Sequence, residues 1–181
     1  MTEICSYRLS LRGKPIGTHV LSSSPRGRLI FLEGKLILQG QLGNVTITQR
    51  SKSQRFQFHS LTFQEDTLSR GENRSFSVNF DQDTGLIRAH KSGNDVATVP
   101  YTLPYLDPLG LLYAIRQLSP EQEHWRVPML GKDVVVDRIG TSTIETTLGT
   151  RQAYEYQLYP GGSYLYVDTQ PPHPILMLSQ R

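Results

Sequence analysis

The sequence predicts a mainly β protein. The expected form is a single strongly curved antiparallel sheet, or open barrel, of about ten strands, with one apolar helix (about 107–118) packed on the concave face. Three observations predict it. Apolar residues alternate at period two over most of the chain, as in strands with one buried face. Short turns bearing Gly or Pro separate these stretches, which suits a meander. One segment alone becomes apolar nearly all round, and such a helix has to be buried on most of its circumference. A large twisted sheet tends to curl, and a helix across its concave face buries both.

Each element follows from local pattern. "YRLSLR" sets Tyr7, Leu9 and Leu11 against Arg8, Ser10 and Arg12, and "GKP" breaks the strand before "IGTHVLSS" returns, so 6–23 reads as a hairpin. "GRLIFLEGKLILQG" is either a tight hairpin or one strand kinked at Gly34. "NVTITQR" puts Val45 and Ile47 on one face. In "QRFQFHSLTFQ", Phe56 and Phe58 have one parity and Leu61 and Phe63 the other, so a bulge near His59-Ser60 is expected to return all four to the core. "RSFSVNFDQDTGLIRAHKSG" reads as strand, turn at Asp81–Gly85 and strand, with "DVATVPY" after it.

The helix opens with Asp107 as N-cap and Pro108 at the first helical position, where the missing N–H costs nothing. Leu109, Leu111, Leu112, Tyr113, Ile115 and Leu118 surround it, and each buried leucine contributes roughly 1.5–3 kcal/mol. Ser119-Pro120 ends it. Six further strands are expected in "HWRVPML", "KDVVVDRIG", "STIETTLG", "RQAYEYQLYP", "GSYLYVD" and "HPILMLSQ". Tyr154, Tyr156 and Leu158 share a face; on the return strand either Leu165 and Val167 or Tyr164 and Tyr166 look inward. No linker divides the 181 residues, so one β-rich domain spanning 1–181 is expected.

Composition narrows the function. Residues 1–60 hold nine Lys/Arg against two acids, a net +7, and residues 61–181 hold ten against fourteen, a net −4. A basic half suits an anionic partner, and equally suits edge strands guarded by charge. Cys5 is the only cysteine, which excludes an intrachain disulfide and a Cys-based metal or redox pair. "MTEICSYRLSLRG" is no signal peptide, and no apolar run approaches the length of a transmembrane helix. The chain as written is expected in the cytoplasm, or in the envelope if it has been trimmed.

Catalytic and metal signals are weak. "DQDTG" resembles the start of a calcium loop, but its glycine is one place early and Ser92 stands where Glu is required, so it reads as a turn. Histidines 19, 59, 90, 124 and 173 lack zinc spacing. There is no G-x-S-x-G and no phosphate loop. The expectation is therefore a protein without cofactor, metal or catalytic residues. Arg116 on an apolar helix requires a partner, reached as a structural pair, along its stem to solvent, or through an anionic head group.

The order of "YRLSLRGKPIG", "VNFDQDTG", "DPLGLLYAIRQL" and "GTRQAYEYQLYPGGSYLYVDTQPPHPILML" resembles a bacterial family catalogued as domain of unknown function 3108. The matching positions are Ile16-Gly17, Phe80-Asp81, Asp107, Leu111, Tyr113, Arg116 and Pro174. The resemblance covers nearly the whole chain. It implies a fold similar to the lipoprotein-carrier type and an exported protein, although this chain has no signal segment. It brings no catalytic residues.

Two functions are expected. The first is a non-enzymatic module holding a lipid-like or other hydrophobic small molecule, or an apolar protein segment, in the concave face. Tyr105, Leu112, Tyr113, Arg116, Tyr154 and Tyr156 are its candidate binding residues. The second is a single-stranded nucleic-acid binder using the basic N-terminal third. Most of the nine tyrosines lie in the acidic half, which weighs against it.

Overall fold

The computed structural model describes residues 1–40 and 43–180. They form thirteen strands and one helix. In order these are β1 Glu3–Leu11, β2 Lys14–Arg26, β3 Leu29–Leu38, β4 Val45–Gln54, β5 Ser60–Ser69, β6 Glu72–Asp81, β7 Leu86–Lys91 and β8 Asn94–Pro100, then α1 Pro108–Ile115. After the helix come β9 His124–Met129, β10 Lys132–Thr146, β11 Gly149–Tyr159, β12 Ser163–Asp168 and β13 Ile175–Gln180.

The single sheet of about ten strands is corrected to two open antiparallel sheets, of eight strands (β1 to β8 in order) and five (β13-β12-β11-β10-β9). The reason is local. Every strand pairs with its chain neighbour except β8 and β9, between which the helical segment removes the hairpin connection. Two compact units result, Met1–Leu111 and Leu112–Arg181, with the boundary inside α1. The helix is shorter than the expected 107–118. After Ile115 the backbone tightens to i→i+3 bonds, Gln117 N–H to Ala114 O and Leu118 N–H to Ile115 O.

In the first unit, three hairpins turn on consecutive left-handed pairs: Arg12-Gly13 (φ 49° and 77°), Arg70-Gly71 (51° and 82°) and Ser92-Gly93 (48° and 83°). Two left-handed residues in a row make the type I′ turn, whose twist matches that of the flanking strands. β3 passes straight through Gly34 as one strand rather than a hairpin. A side chain there would meet Leu109 Cδ2 at 3.1 Å, so the missing Cβ makes room for the helix.

One face of this sheet is the core. Register aligns Leu32, Ser51, Phe63, Val78 and Ala89 across five strands, and Leu21, Ile30, Phe80 and Ile87 extend the buried set. Leu106, Leu109, Leu111 and Phe58 are buried with them. The opposite face carries two polar rows taken up below.

"QRFQFHSLTFQ" is not one bulged strand. β4 ends at Gln54, residues 55–57 turn, and β5 starts at Ser60. A bulge does occur, at Leu61, because Lys52 pairs with Thr62 while Ser53 pairs with Ser60. It brings Ser60 and Phe63, three apart, to the same face. Phe58 and Phe63 are buried, but Phe56 stays 69% exposed, so only part of the expected set reaches the core.

In the second unit β10 is one 15-residue strand where two were expected, with the irregularity at Ile139 absorbed between Arg138 and Gly140. One face gathers Val127, Val134, Val136, Tyr156, Leu158, Leu165 and Val167. The register pairs Tyr156 with Leu165 and Tyr154 with Val167, so Leu165 and Val167 share the face of the β11 tyrosines. Tyr166 is buried on the other face and donates to Glu155 Oε1 at 2.9 Å.

Candidate functional site

The most fully connected buried polar group in the first unit is Asp107, at the N-terminus of α1. It is 3% exposed. Its Oδ1 accepts the Gly110 N–H at 2.8 Å, the N-cap bond to the third helical residue. Its Oδ2 accepts the hydroxyls of Ser51 (2.5 Å) and Ser60 (2.6 Å). The Asp107 N–H donates back to Ser60 Oγ at 2.7 Å. Each hydroxyl has one proton. Since Ser51 gives its proton to Asp107, the 2.8 Å contact between Ser51 and Ser53 has Ser53 as donor. A directed chain therefore runs Ser53 to Ser51 to the carboxylate. Burial pushes the Asp107 carboxyl above its ordinary value, against the pull of the Gly110, Ser51 and Ser60 bonds. All donors point inward and none of these side chains is exposed, so the cluster locks the helix to the sheet; it offers no opening for chemistry.

Helix and turn approach closely at the same place. A Cβ on Gly110 would lie 2.9 Å from the Phe58 carbonyl oxygen, and Phe58 itself takes a positive φ of 58°. Ser51 and Ser53 continue the parity of Val45 and Ile47, so small hydroxyls in core positions were the signal for this site. Sequence reasoning found the cap and missed its two serine partners, Ser51 and Ser60, and Ser53 behind them.

An aromatic group adjoins this cluster, because the Tyr105 carbonyl accepts the Ser60 N–H at 2.8 Å. Tyr105 joins Phe80 and Tyr101 in an aromatic group with centroids 6.2–6.3 Å apart. Beside it runs β8, an edge strand exposed along its whole length. Val96 and Leu103 are each 53% exposed and Val99 36%. The other edge strand, β1, carries Glu3 and Arg8, charges that deter edge pairing; Val96-Ala97-Thr98-Val99 carries none.

The remaining candidate residues lie in the second unit, so Tyr105 is not grouped with them by the fold of either unit. Tyr113 is buried, and Arg116 lies over its ring at 5.1 Å. Arg116 Nε donates to the His173 carbonyl at 2.8 Å and Nη2 to that of Pro172 at 3.1 Å. These partners are backbone oxygens rather than the carboxylate of a charge pair. Arg116→Ala is predicted to cost about 2 kcal/mol, as expected for charge-assisted bonds, and to speed hydrogen exchange at residues 170–175 without altering the first unit. Leu112 is half-buried. Tyr154 and Tyr156 stand side by side with Arg138, which lies 5.7 Å over the Tyr154 ring. Burial raises the Tyr156 hydroxyl's pKa, and the Arg138 charge opposes that. Arg138 Nε is buried without a hydrogen-bond partner.

Residues 82–85 form the expected turn, with Asp81 Oδ1 accepting the N–H groups of Asp83 (3.0 Å) and Thr84 (3.1 Å). Among the described residues, no three His, Cys, Asp or Glu side chains converge as metal ligands, and no helix is long and apolar enough to cross a membrane.

Comparison with curated proteins and with solved structures returned no match. One family model matches, described as "Protein of unknown function (DUF3108)", over residues 6–171. Ile16-Gly17, Phe80-Asp81, Asp107, Leu111, Tyr113 and Arg116 fall inside that span and Pro174 just beyond it. The match runs from the first hairpin into the loop before β13, and on that ground the chain belongs to the DUF3108 family.

Proposed function

We propose that this protein is a non-enzymatic binding module whose partner is an extended apolar protein segment, taken up at the β8 edge of the eight-stranded sheet. One observation carries the reading: β8 is a fully exposed edge strand whose one charge, Asp95, lies at its start, leaving residues 96–100 uncharged beside exposed Leu103 and the Phe80–Tyr101–Tyr105 group. An edge strand has unpaired N–H and C=O groups for a further strand, and alternate side chains then find the apolar strip. Exposed apolar surface of this kind marks interaction sites.

A lipid-like ligand is less well supported. A small molecule usually occupies a cavity that removes most of its surface from water, whereas Leu21, Leu32, Phe63, Val78 and Ile87 fill the core face of this sheet.

The test is fluorescence anisotropy with a labelled peptide of alternating Val and Thr. Saturable binding is expected, lost in Val96→Lys and in Val99→Lys, because edge lysines block strand addition. Equal binding by both variants, or none by the wild type, contradicts the reading. A fatty acid found bound by native mass spectrometry would move the occupant to the lipid class.

A further inference from the structure

The polar face of the eight-stranded sheet carries a groove that the reading above does not use. It has a volume of about 340 Å³ and is lined by Phe31, Arg50, Lys52, Thr62, Gln64, Ser77, Asn79 and His90, over a floor at Ser51, Phe63 and Val78. Its walls follow directly from register. One row runs Phe31, Lys52, Thr62, Asn79 across β3 to β6. The other runs Arg50, Gln64, Ser77, His90 across β4 to β7. Cross-strand partners share a face, so the rows stand parallel with the groove between them. Four interstrand steps of about 4.8 Å give a span of about 19 Å from β3 to β7.

No carboxylate lines the groove. Its basic side chains differ in availability. Arg50 is held by Asp66 at 3.3 Å and His90 by Asp95 at 2.6 Å, both outside the lining. Lys52 has no ion pair among the described residues. Thr62 and Asn79 share its row and Gln64 and Ser77 stand in the other, with one Gln64 amide proton donated to Asp66 Oδ2 at 2.9 Å. Amides and hydroxyls both donate and accept, as sugar hydroxyls require, while the ammonium favours a single acid group.

We infer that this groove binds an acidic oligosaccharide, with a carboxylate or phosphate at Lys52 and ring hydroxyls along Thr62, Gln64, Ser77 and Asn79. A nucleic-acid strand fits less well. Such strands take several cations and successive aromatic platforms. Here, among the described residues, Lys52 alone of the basic wall residues is unpaired, and the one phenyl ring of the walls, Phe31, already has the Arg26 guanidinium over it at 5.2 Å.

The experiment is amide NMR titration of the full chain with oligogalacturonate, neutral cello-oligosaccharide and oligothymidine at low and physiological salt. Oligogalacturonate is expected to shift amides of β3 to β7. Lys52→Ala should weaken it about tenfold, the loss of one charge-assisted bond, and Asn79→Ala by a smaller factor. Lys14→Ala, on the first hairpin, should change nothing. The inference is overturned if oligogalacturonate does not bind, if Lys52→Ala binds as well as wild type, or if oligothymidine binds more tightly. The Val96→Lys protein should still bind oligogalacturonate, which separates this site from the β8 edge.

Discussion

Asp107→Ala should lower stability by about 3–5 kcal/mol. Loss of an N-cap contributes about 1 kcal/mol, and each buried hydroxyl or N–H left without an acceptor about 1–3 kcal/mol. The substitution strands the Gly110 N–H and the Ser51 and Ser60 hydroxyls together. The loss is partly offset because a desolvated carboxyl disappears. Urea unfolding measures it, and a loss below 1 kcal/mol would mean that the cluster does not lock the helix.

Asp107→Asn isolates the charge. The amide keeps an acceptor for Gly110 N–H and has donors for the serine oxygens, so the expected cost is about 1 kcal/mol. The pH dependence has a definite sign. The folded carboxyl is raised above its unfolded value of about 3.9. The folded state thus holds its proton more tightly, and the stability that this contributes is full below about pH 3.9. It is lost as pH rises through the raised folded value. The stability difference between wild type and Asp107→Asn should therefore shift against the wild type as pH rises from about 4. A shift in its favour would show the serine and backbone bonds outweighing burial.

Gly17→Ala should cost a further several kcal/mol, of the order seen for severe overpacking. Gly17 pairs with Leu9 on one side and Leu38 on the other, where β1, β2 and β3 meet. A Cβ on Gly17 would fall inside the Ile37 carbonyl oxygen, a backbone atom that can yield only by breaking the ladder. The residue lies next to the register shift between Leu9 and Ser10, so the strands are already irregular there. Thermal unfolding should show a lower Tm, and circular dichroism a weaker β signal. By contrast, Gly13→Ala meets no atom within 4 Å and is strained only through its φ of 77°. It should cost about 1 kcal/mol, within the range for a left-handed non-glycine residue. Similar losses at the two positions would contradict the packing explanation.

Much of the fold was legible because period-two alternation and turn residues are local. The Asp81–Gly85 turn and the Asp107 cap read directly from short stretches, whereas the first turn, expected at Gly13-Lys14-Pro15, falls on Arg12-Gly13 with Lys14 and Pro15 already in β2. The number of sheets was not legible, because nothing in the helical segment itself says whether β8 and β9 pair across it. The bulge was placed only roughly. Alternation shows that parity slips between Phe58 and Leu61, and the cross-strand register puts the extra residue at Leu61. The candidate tyrosines were chosen as aromatic residues able to line a cavity. Tyr113 and Tyr156 are buried, and Tyr105 borders the exposed apolar strip. That strip depends on which strand becomes an edge, a property of the whole sheet.

The β8 edge is tested most directly by hydrogen exchange on the full chain with and without the Val/Thr peptide. The account predicts slowed exchange at residues 94–100, where strand addition would satisfy exposed backbone groups, with β1 unchanged. Binding that leaves β8 exchange unaltered would contradict it.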